Sequence, residues 1–317
     1  MKESVSFKNY LELHFIVFLW GFTAILGKLI SVPAVELVFV RTLLAATALA
    51  LILYIRKISF NIGRQAFLRI LGVGFIISAH WILFFASARV SSVAICLAGM
   101  STISLWTALL EPMFTKKKIQ AHEIFMAILI IVGLYLIFRF EFDHVLGIIM
   151  AVVSALLSAV FSIVNARLVK TYRPAIISCY EMAGACLATA LFFPVYARWF
   201  TDTGTINLAL TWLDIIWLLI LAIVCTVYPF TASVRLMKKI SAFTVNLSIN
   251  LEPVYGILFA FFIFKDAERM SGGFYLGAVI ILFSVFSHAF IERFLTRRQK
   301  LKVSRATPGT QPETFVP

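Results

Sequence analysis

Apolar stretches long enough to cross a bilayer recur along almost the whole chain. They lie near residues 11 to 30, 33 to 55, 66 to 88, 90 to 114 and 120 to 139, then near 144 to 170, 174 to 197, 212 to 236, 241 to 264 and 270 to 291. A hydrocarbon core of about 30 Å is crossed by a helix of roughly 20 apolar residues. No water is available there to satisfy a bare backbone, so each stretch is predicted to be a helix that closes its own hydrogen bonds. The residues are 62% apolar and 14% charged, against roughly 45 to 50% and about 25% in soluble domains. A soluble fold could not hide that much apolar surface. The fold expected is an all-α membrane protein with ten transmembrane helices, short loops, a cytoplasmic N-terminus over residues 1–10 and a basic, disordered tail over 292–317.

Net charge sets the orientation rather than a polyanionic partner. The excess of +13 is scattered in short clusters between apolar runs, with no basic stripe of the kind that binds nucleic acid. Lys and Arg flanking transmembrane helices are retained on the cytoplasmic side. With the N-terminus inside, the cytoplasmic loops hold Arg56, Lys57, Arg64 and Arg69, then Lys116 to Lys118, then Arg167, Lys170 and Arg173, then Arg235, Lys238 and Lys239. The outer loops hold only isolated basic residues such as Lys28, Arg89 and Arg198. Both termini are therefore expected inside. Cys96, Cys179, Cys186 and Cys225 all fall in apolar runs without metal-ligand or redox spacing, and read as small buried side chains.

Ten helices divide into two fives. The run AILIIV at 127–132 matches AVIILF at 278–283, in the fifth helix of each half. Each first helix ends in a basic residue, Lys28 or Arg167, and a proline, Pro33 or Pro174, opens the next. Five is odd, so a second copy enters the membrane from the opposite side. The expected architecture is two inverted five-helix repeats, 11–139 and 144–291, with a site between them near the midplane.

Trp20-Gly21, Lys28, Pro33 and Arg41 in the first half, with Pro253, Asp266 and Gly277 in the second, resemble the opening and closing patterns of the EamA-type branch of the drug/metabolite transporter superfamily. Ser101-Thr102 stands where the repeat register would place that family's mid-helix proline, Thr115 where an acid is common, and Glu111-Pro112 lies near the cytoplasmic end instead. The resemblance covers roughly residues 11 to 291. It implies a multi-pass carrier, in a bacterial inner membrane, that moves a metabolite without ATP and often outward; substrates in that family run from amino acids to nucleotide sugars.

Ionisable groups at membrane depth cost about 2.5 to 3.5 kcal/mol each and usually face a protein interior or watery cavity, which makes them the site candidates. Glu252 lies about 16 Å along the ninth helix, next to Pro253. Asn246 and Asn250 share one face of that helix, and Ser248, Glu252 and Tyr255 a neighbouring one. Glu252 either lines the pathway or pairs with an adjacent helix. His80, beside Trp81 deep in the third helix, either meets substrate or serves structure. Arg41 is assigned to a structural ion pair with Glu181 of the seventh helix, an anionic substrate being the other reading. Tyr228 beside Pro229, Asn165, and Ser101 with Thr102 complete the polar marks in the eighth, sixth and fourth helices.

The substrate-binding set expected is thus His80, Trp81, Ser101, Thr102, Tyr228, Asn246, Asn250 and Glu252. There is no G-x-x-x-x-G-K-[ST] loop, H-E-x-x-H pair or G-x-S-x-G elbow. The sequence implies no cofactor, no metal and no catalytic set. The function expected is a secondary transporter of a small metabolite such as an amino acid, working by alternating access, with a polytopic enzyme acting on a lipid-linked substrate as the alternative. Partners are the substrate and the bilayer; the sequence leaves homodimerisation open.

Overall fold

The structure, a computed structural model, describes residues 7–115, 121–265, 270–284 and 287. Lys116 to Lys118, Asp266 and the expected tail over 292–317 lie outside the described residues. Within them the chain forms ten helical stretches: α1 (Phe7–Leu29), α2 (Ala34–Ile55), α3 (Arg64–Val90), α4 (Val93–Phe114), α5 (Ala121–Phe140), α6 (Val145–Leu168), α7 (Pro174–Phe200), α8 (Trp212–Leu236), α9 (Ala242–Phe264) and α10 (Gly272–Ser284). No strand occurs among the described residues. Eight are long and apolar enough to cross a membrane; α5 and α10 contribute the shorter apolar stretches Ile128–Phe140 and Gly272–Ser284.

Local chemistry explains where the helices begin. Pro33 stands in extended conformation just before α2, and Pro174 occupies the first turn of α7, where its missing N–H would be unpaired anyway. Ser92 and Ser241 cap α4 and α9 by accepting the Ile95 and Thr244 amides, each at 3.1 Å. Thr211 and Asp214 form a reciprocal capping box on α8.

The duplication is visible in how two helices break. α4 runs for 8 residues (Val93–Met100), turns at Ser101-Thr102 and resumes for 13 (Ile103–Thr115). α9 does the same, with 8 residues (Ala242–Ile249), a turn at Asn250-Leu251 and 13 more (Glu252–Phe264). Proline follows the break only in α9. In α4 the break is stabilised by side chains: Ser101 Oγ donates to the Leu97 carbonyl at 3.2 Å and Thr102 Oγ1 to that of Gly99 at 2.8 Å.

The eighth helix runs through Tyr228-Pro229 without a break. Ile220–Val227 winds as a π-helix directly before this pair. Pro229 has no N–H to give the Cys225 carbonyl, so the turn before it is free to widen. Thr226 Oγ1 takes up the slack by donating to the Leu221 carbonyl, five residues back, at 2.7 Å.

The halves are interleaved: α3 packs on α6 and α7, α2 on α7, and α4 on α6 and α9. The α3–α7 crossing needs glycine on both sides. A methyl group at Gly74 would overlap the Glu181 carbonyl, and one at Gly184 the Leu71 carbonyl. Outward faces carry large apolar residues, among them Ile131 and Tyr135 on α5 and Val279 and Phe283 on α10, as a lipid-facing surface requires. Trp199 and Trp212, 73% and 74% exposed at the facing ends of α7 and α8, sit where an interfacial aromatic belt would lie.

Candidate functional site

Seven helices converge on a cavity enclosing about 660 Å³, mouth included. Its walls come from α1 (Trp20, Thr23), α2 (Arg41), α3 (His80, Trp81, Phe84), α4 (Met100), α6 (Ser158 to Asn165), α8 (Phe230 to Met237) and α9 (Val245, Ile249, Glu252).

Arg41 is held by two neighbours. Its Nε donates to Thr226 Oγ1 at 2.8 Å, the hydroxyl presented by the π-turn of α8. Its guanidinium carbon lies 3.9 Å from the centre of the Trp81 ring. A desolvated cation over an aromatic face is stabilised by about 2 kcal/mol. Trp81 in turn meets Phe230 edge-on at 6.0 Å. Among the described residues the terminal nitrogens of Arg41 make no hydrogen bond, although the side chain is only 2% exposed. They are free to bind something in the cavity.

Glu252 begins the second piece of α9, 5% exposed, and among the described residues no hydrogen bond reaches its carboxylate. It too faces the cavity with its full accepting capacity. His80 is tied on one side: Nδ1 lies 2.9 Å from the Ser154 carbonyl and 2.8 Å from Ser154 Oγ, which itself donates to the His80 carbonyl. A ring fixed with its proton on Nδ1 by that carbonyl keeps the Nε2 lone pair as an acceptor. Phe84 and Phe161 flank the ring at 6.2 and 5.4 Å.

Of the residues singled out from sequence, His80, Trp81 and Glu252 are in this wall, joined by Arg41 and Asn165. The others lie outside it. Ser101 and Thr102 are buried and spend their hydroxyls on their own helix. Asn246 Nδ2 donates to Thr107 Oγ1 at 2.8 Å, a cross-helix tie between α9 and α4, while Asn250 Nδ2 bonds the Asn246 carbonyl at 3.3 Å. Tyr228 is 43% exposed and donates to Glu12 on α1. The ion pair assigned to Arg41 and Glu181 is not formed: Arg41 is committed to Thr226 and Trp81, and the nearest polar partner of Glu181 is Asn165, 3.4 Å away. Ser158, Phe161, Ser162 and Phe230 line the cavity without having been singled out, and Trp20 was noted only for the family pattern; within uniformly apolar helices, nothing in their spacing marks them.

Polar contacts tie together the ends of several of these helices. Asp214, 2% exposed, accepts from Ser31 N and Oγ and from Thr211 N and Oγ1 at 2.6 to 2.9 Å, tying the α1–α2 link to the start of α8. Arg89 at the end of α3 donates to the Gly27 and Ile30 carbonyls, each at 2.9 Å, where α1 ends. Glu36 accepts the Asn207 amide at 3.1 Å. At the opposite ends of α1 and α8, Glu12 pairs with Arg235 in a partly exposed contact.

The family model of EamA-like transporters matches residues 11–139 and again 145–289. The chain belongs to the EamA-like transporter family. Two matches in tandem make it a two-repeat member, and as such a multi-pass membrane transporter. No curated protein matches it. A solved structure described only as "Crystal structure of protein" shares its fold, with a TM-score of 0.64 and 15% identity over 88% of this chain and 95% of that one. The EamA-like repeats meet at the cavity: α1 to α4 come from one match and α6, α8 and α9 from the other.

Proposed function

We propose that this protein is a secondary transporter that carries a small zwitterionic metabolite such as an amino acid outward by alternating access, and that its ten helices span the membrane with both termini inside. The observation that carries this reading is the pairing in one cavity of a guanidinium and a carboxylate, both buried at membrane depth and both with hydrogen-bonding capacity unspent. A charge costs several kcal/mol there unless it is paired or functional. Arg41 would take the carboxylate of the cargo and Glu252 its ammonium, while Trp20, Phe84, Phe161 and Phe230 supply an apolar wall for its body. In the N-in orientation the tied ends of α1, α3 and α8 are extracellular. Asn165, Met237 and Val245 are then the lining residues toward the cytoplasmic helix ends, the side from which an exporter loads.

Counterflow in proteoliposomes tests it. Vesicles preloaded with unlabelled amino acid should take up the labelled form, and uptake should be suppressed by other zwitterions but not by the corresponding amine or carboxylic acid, each lacking one charge. Equal competition by the singly charged analogues would sink the two-point reading.

A further inference from the structure

A second ionisable group, outside the cavity, is left with unspent acceptors. Glu181 on α7 is 0% exposed. Its Oε2 accepts from Asn165 Nδ2 at 3.4 Å, a long bond, and its Oε1 is buried with no partner among the described residues. On the other side of the same contact, Asn165 Oδ1 is also buried with no partner. Two orphaned acceptors thus belong to two side chains already in contact. Two acceptors cannot satisfy each other, but one proton on Glu181 turns its hydroxyl into a donor for which the amide oxygen is an acceptor. The result is an acid–amide ring with one hydrogen bond in each direction.

No cation competes for that role among the described residues. On α2, Arg41 is directed at Thr226 and Trp81, and Glu36 at the Asn207 amide. On α3, His80 is tied to Ser154, Arg89 to the end of α1, and Arg69 is exposed. On α6, Arg167 lies over the Phe114 ring. On α8, Asp214 is held by Ser31 and Thr211, Arg235 by Glu12, and Cys225 is a buried free thiol. On α7 itself, Tyr180 donates to the Phe60 carbonyl at 2.6 Å and Cys179 is a buried free thiol. A carboxylate left alone at this depth would carry the full cost of an uncompensated buried charge.

We propose that Glu181 and Asn165 form a proton-binding site behind the cavity wall, in which one proton bridges the carboxyl and the amide and couples transport to the proton gradient. Asn165 supplies the coupling because it belongs to both places: it lines the cavity and is the only hydrogen-bonding partner of Glu181 among the described residues. Cargo that engages the Asn165 amide changes the partner available to the acid, and by linkage the proton on Glu181 changes the affinity for cargo.

Infrared spectroscopy of the reconstituted protein tests the site without reference to any cargo. At neutral pH the wild type should show the carbonyl stretch of a protonated carboxylic acid that Glu181→Gln lacks. The glutamine keeps the shape and can still donate to Asn165, so the fold is retained. Asn165→Val should move the band to higher frequency, as loss of its hydrogen bonds demands. A wild-type spectrum with no acid band removed by Glu181→Gln overturns the site. Labelled L-leucine tests the coupling: a pH gradient should drive its accumulation above equilibrium in wild-type vesicles, whereas Glu181→Gln vesicles retain counterflow but no longer respond to the gradient. Accumulation that survives in Glu181→Gln overturns the coupling and leaves the carrier reading standing.

Discussion

Replacing Glu252 with glutamine separates a cargo-binding role from a structural one, because the two predict opposite changes in stability. The side chain is 5% exposed and, among the described residues, accepts no hydrogen bond. Glutamine preserves its shape and removes its charge. If the carboxylate serves the cargo ammonium, a charged bond worth about 1.5 to 3 kcal/mol is exchanged for a neutral one worth about 0.5 to 1.5. The difference of roughly 1.5 kcal/mol raises the half-saturation concentration in counterflow about tenfold. The protein itself should weaken little or not at all: no internal hydrogen bond is lost and the cost of burying a charge is relieved, which offsets the lost attraction to Arg41. Its melting temperature in detergent should stay level or rise. Two results refute the reasoning: an unchanged half-saturation, or a melting temperature lowered by more than about 4 °C, which signals the loss of roughly 1 kcal/mol or more of internal contact.

Two substitutions test the framework around the site. Gly74→Val should cost more than the about 1 to 3 kcal/mol typical of overpacking, because the added side chain meets the backbone of α7 rather than a movable side chain. Gly72→Ala, with nothing within 4 Å of the added methyl, should leave the melting temperature unchanged, and the pair can be scored in one thermal scan. Asp214→Asn keeps the shape but halves the accepting oxygens that hold Ser31 and Thr211; a loss of about 2 to 3 kcal/mol is expected. Cysteine labels at the C-terminal end of α1 and the N-terminal end of α8 should become more reactive in that variant as the tie loosens.

The helices were legible because a bilayer imposes a length and an apolarity that few soluble segments imitate. Where they bend was legible only in part. Pro253 marks the break in α9, but the matching break in α4 carries no proline and depends on Ser101 and Thr102, which sequence alone equally allows as pore-lining groups. Pro229 marks a disturbance in α8 while the π-turn lies before it, since a missing N–H is felt by the carbonyl one turn earlier. At the site, depth could be counted along a helix but direction could not. His80, Trp81 and Glu252 lie in the wall, while Tyr228, at similar depth, turns outward to Glu12. Which way a side chain faces is set by neighbours on all sides, and no single helix carries that information.

The repeat explains why Arg41 and Glu181 do not pair. Each lies eight residues beyond the residue that precedes its helix, Pro33 before α2 and Arg173 before α7; they hold the same place in the second helix of the two copies. In the proposed inverted arrangement those helices would enter from opposite faces, and eight residues of about 1.5 Å each would put the two charges roughly 12 Å from opposite surfaces. One is a cation stacked on Trp81 and the other an acid facing Asn165. A double-mutant cycle measures this directly. Arg41→Met and Glu181→Gln, alone and together, should alter thermal stability additively, with a coupling within about 0.5 kcal/mol of zero. A buried ion pair would couple them by several times that amount, because removing either partner would strand the other as an unpaired charge. Coupling above about 1.5 kcal/mol would restore the ion pair. It would also remove the ground for treating Arg41 as open to the cargo and Glu181 as open to a proton.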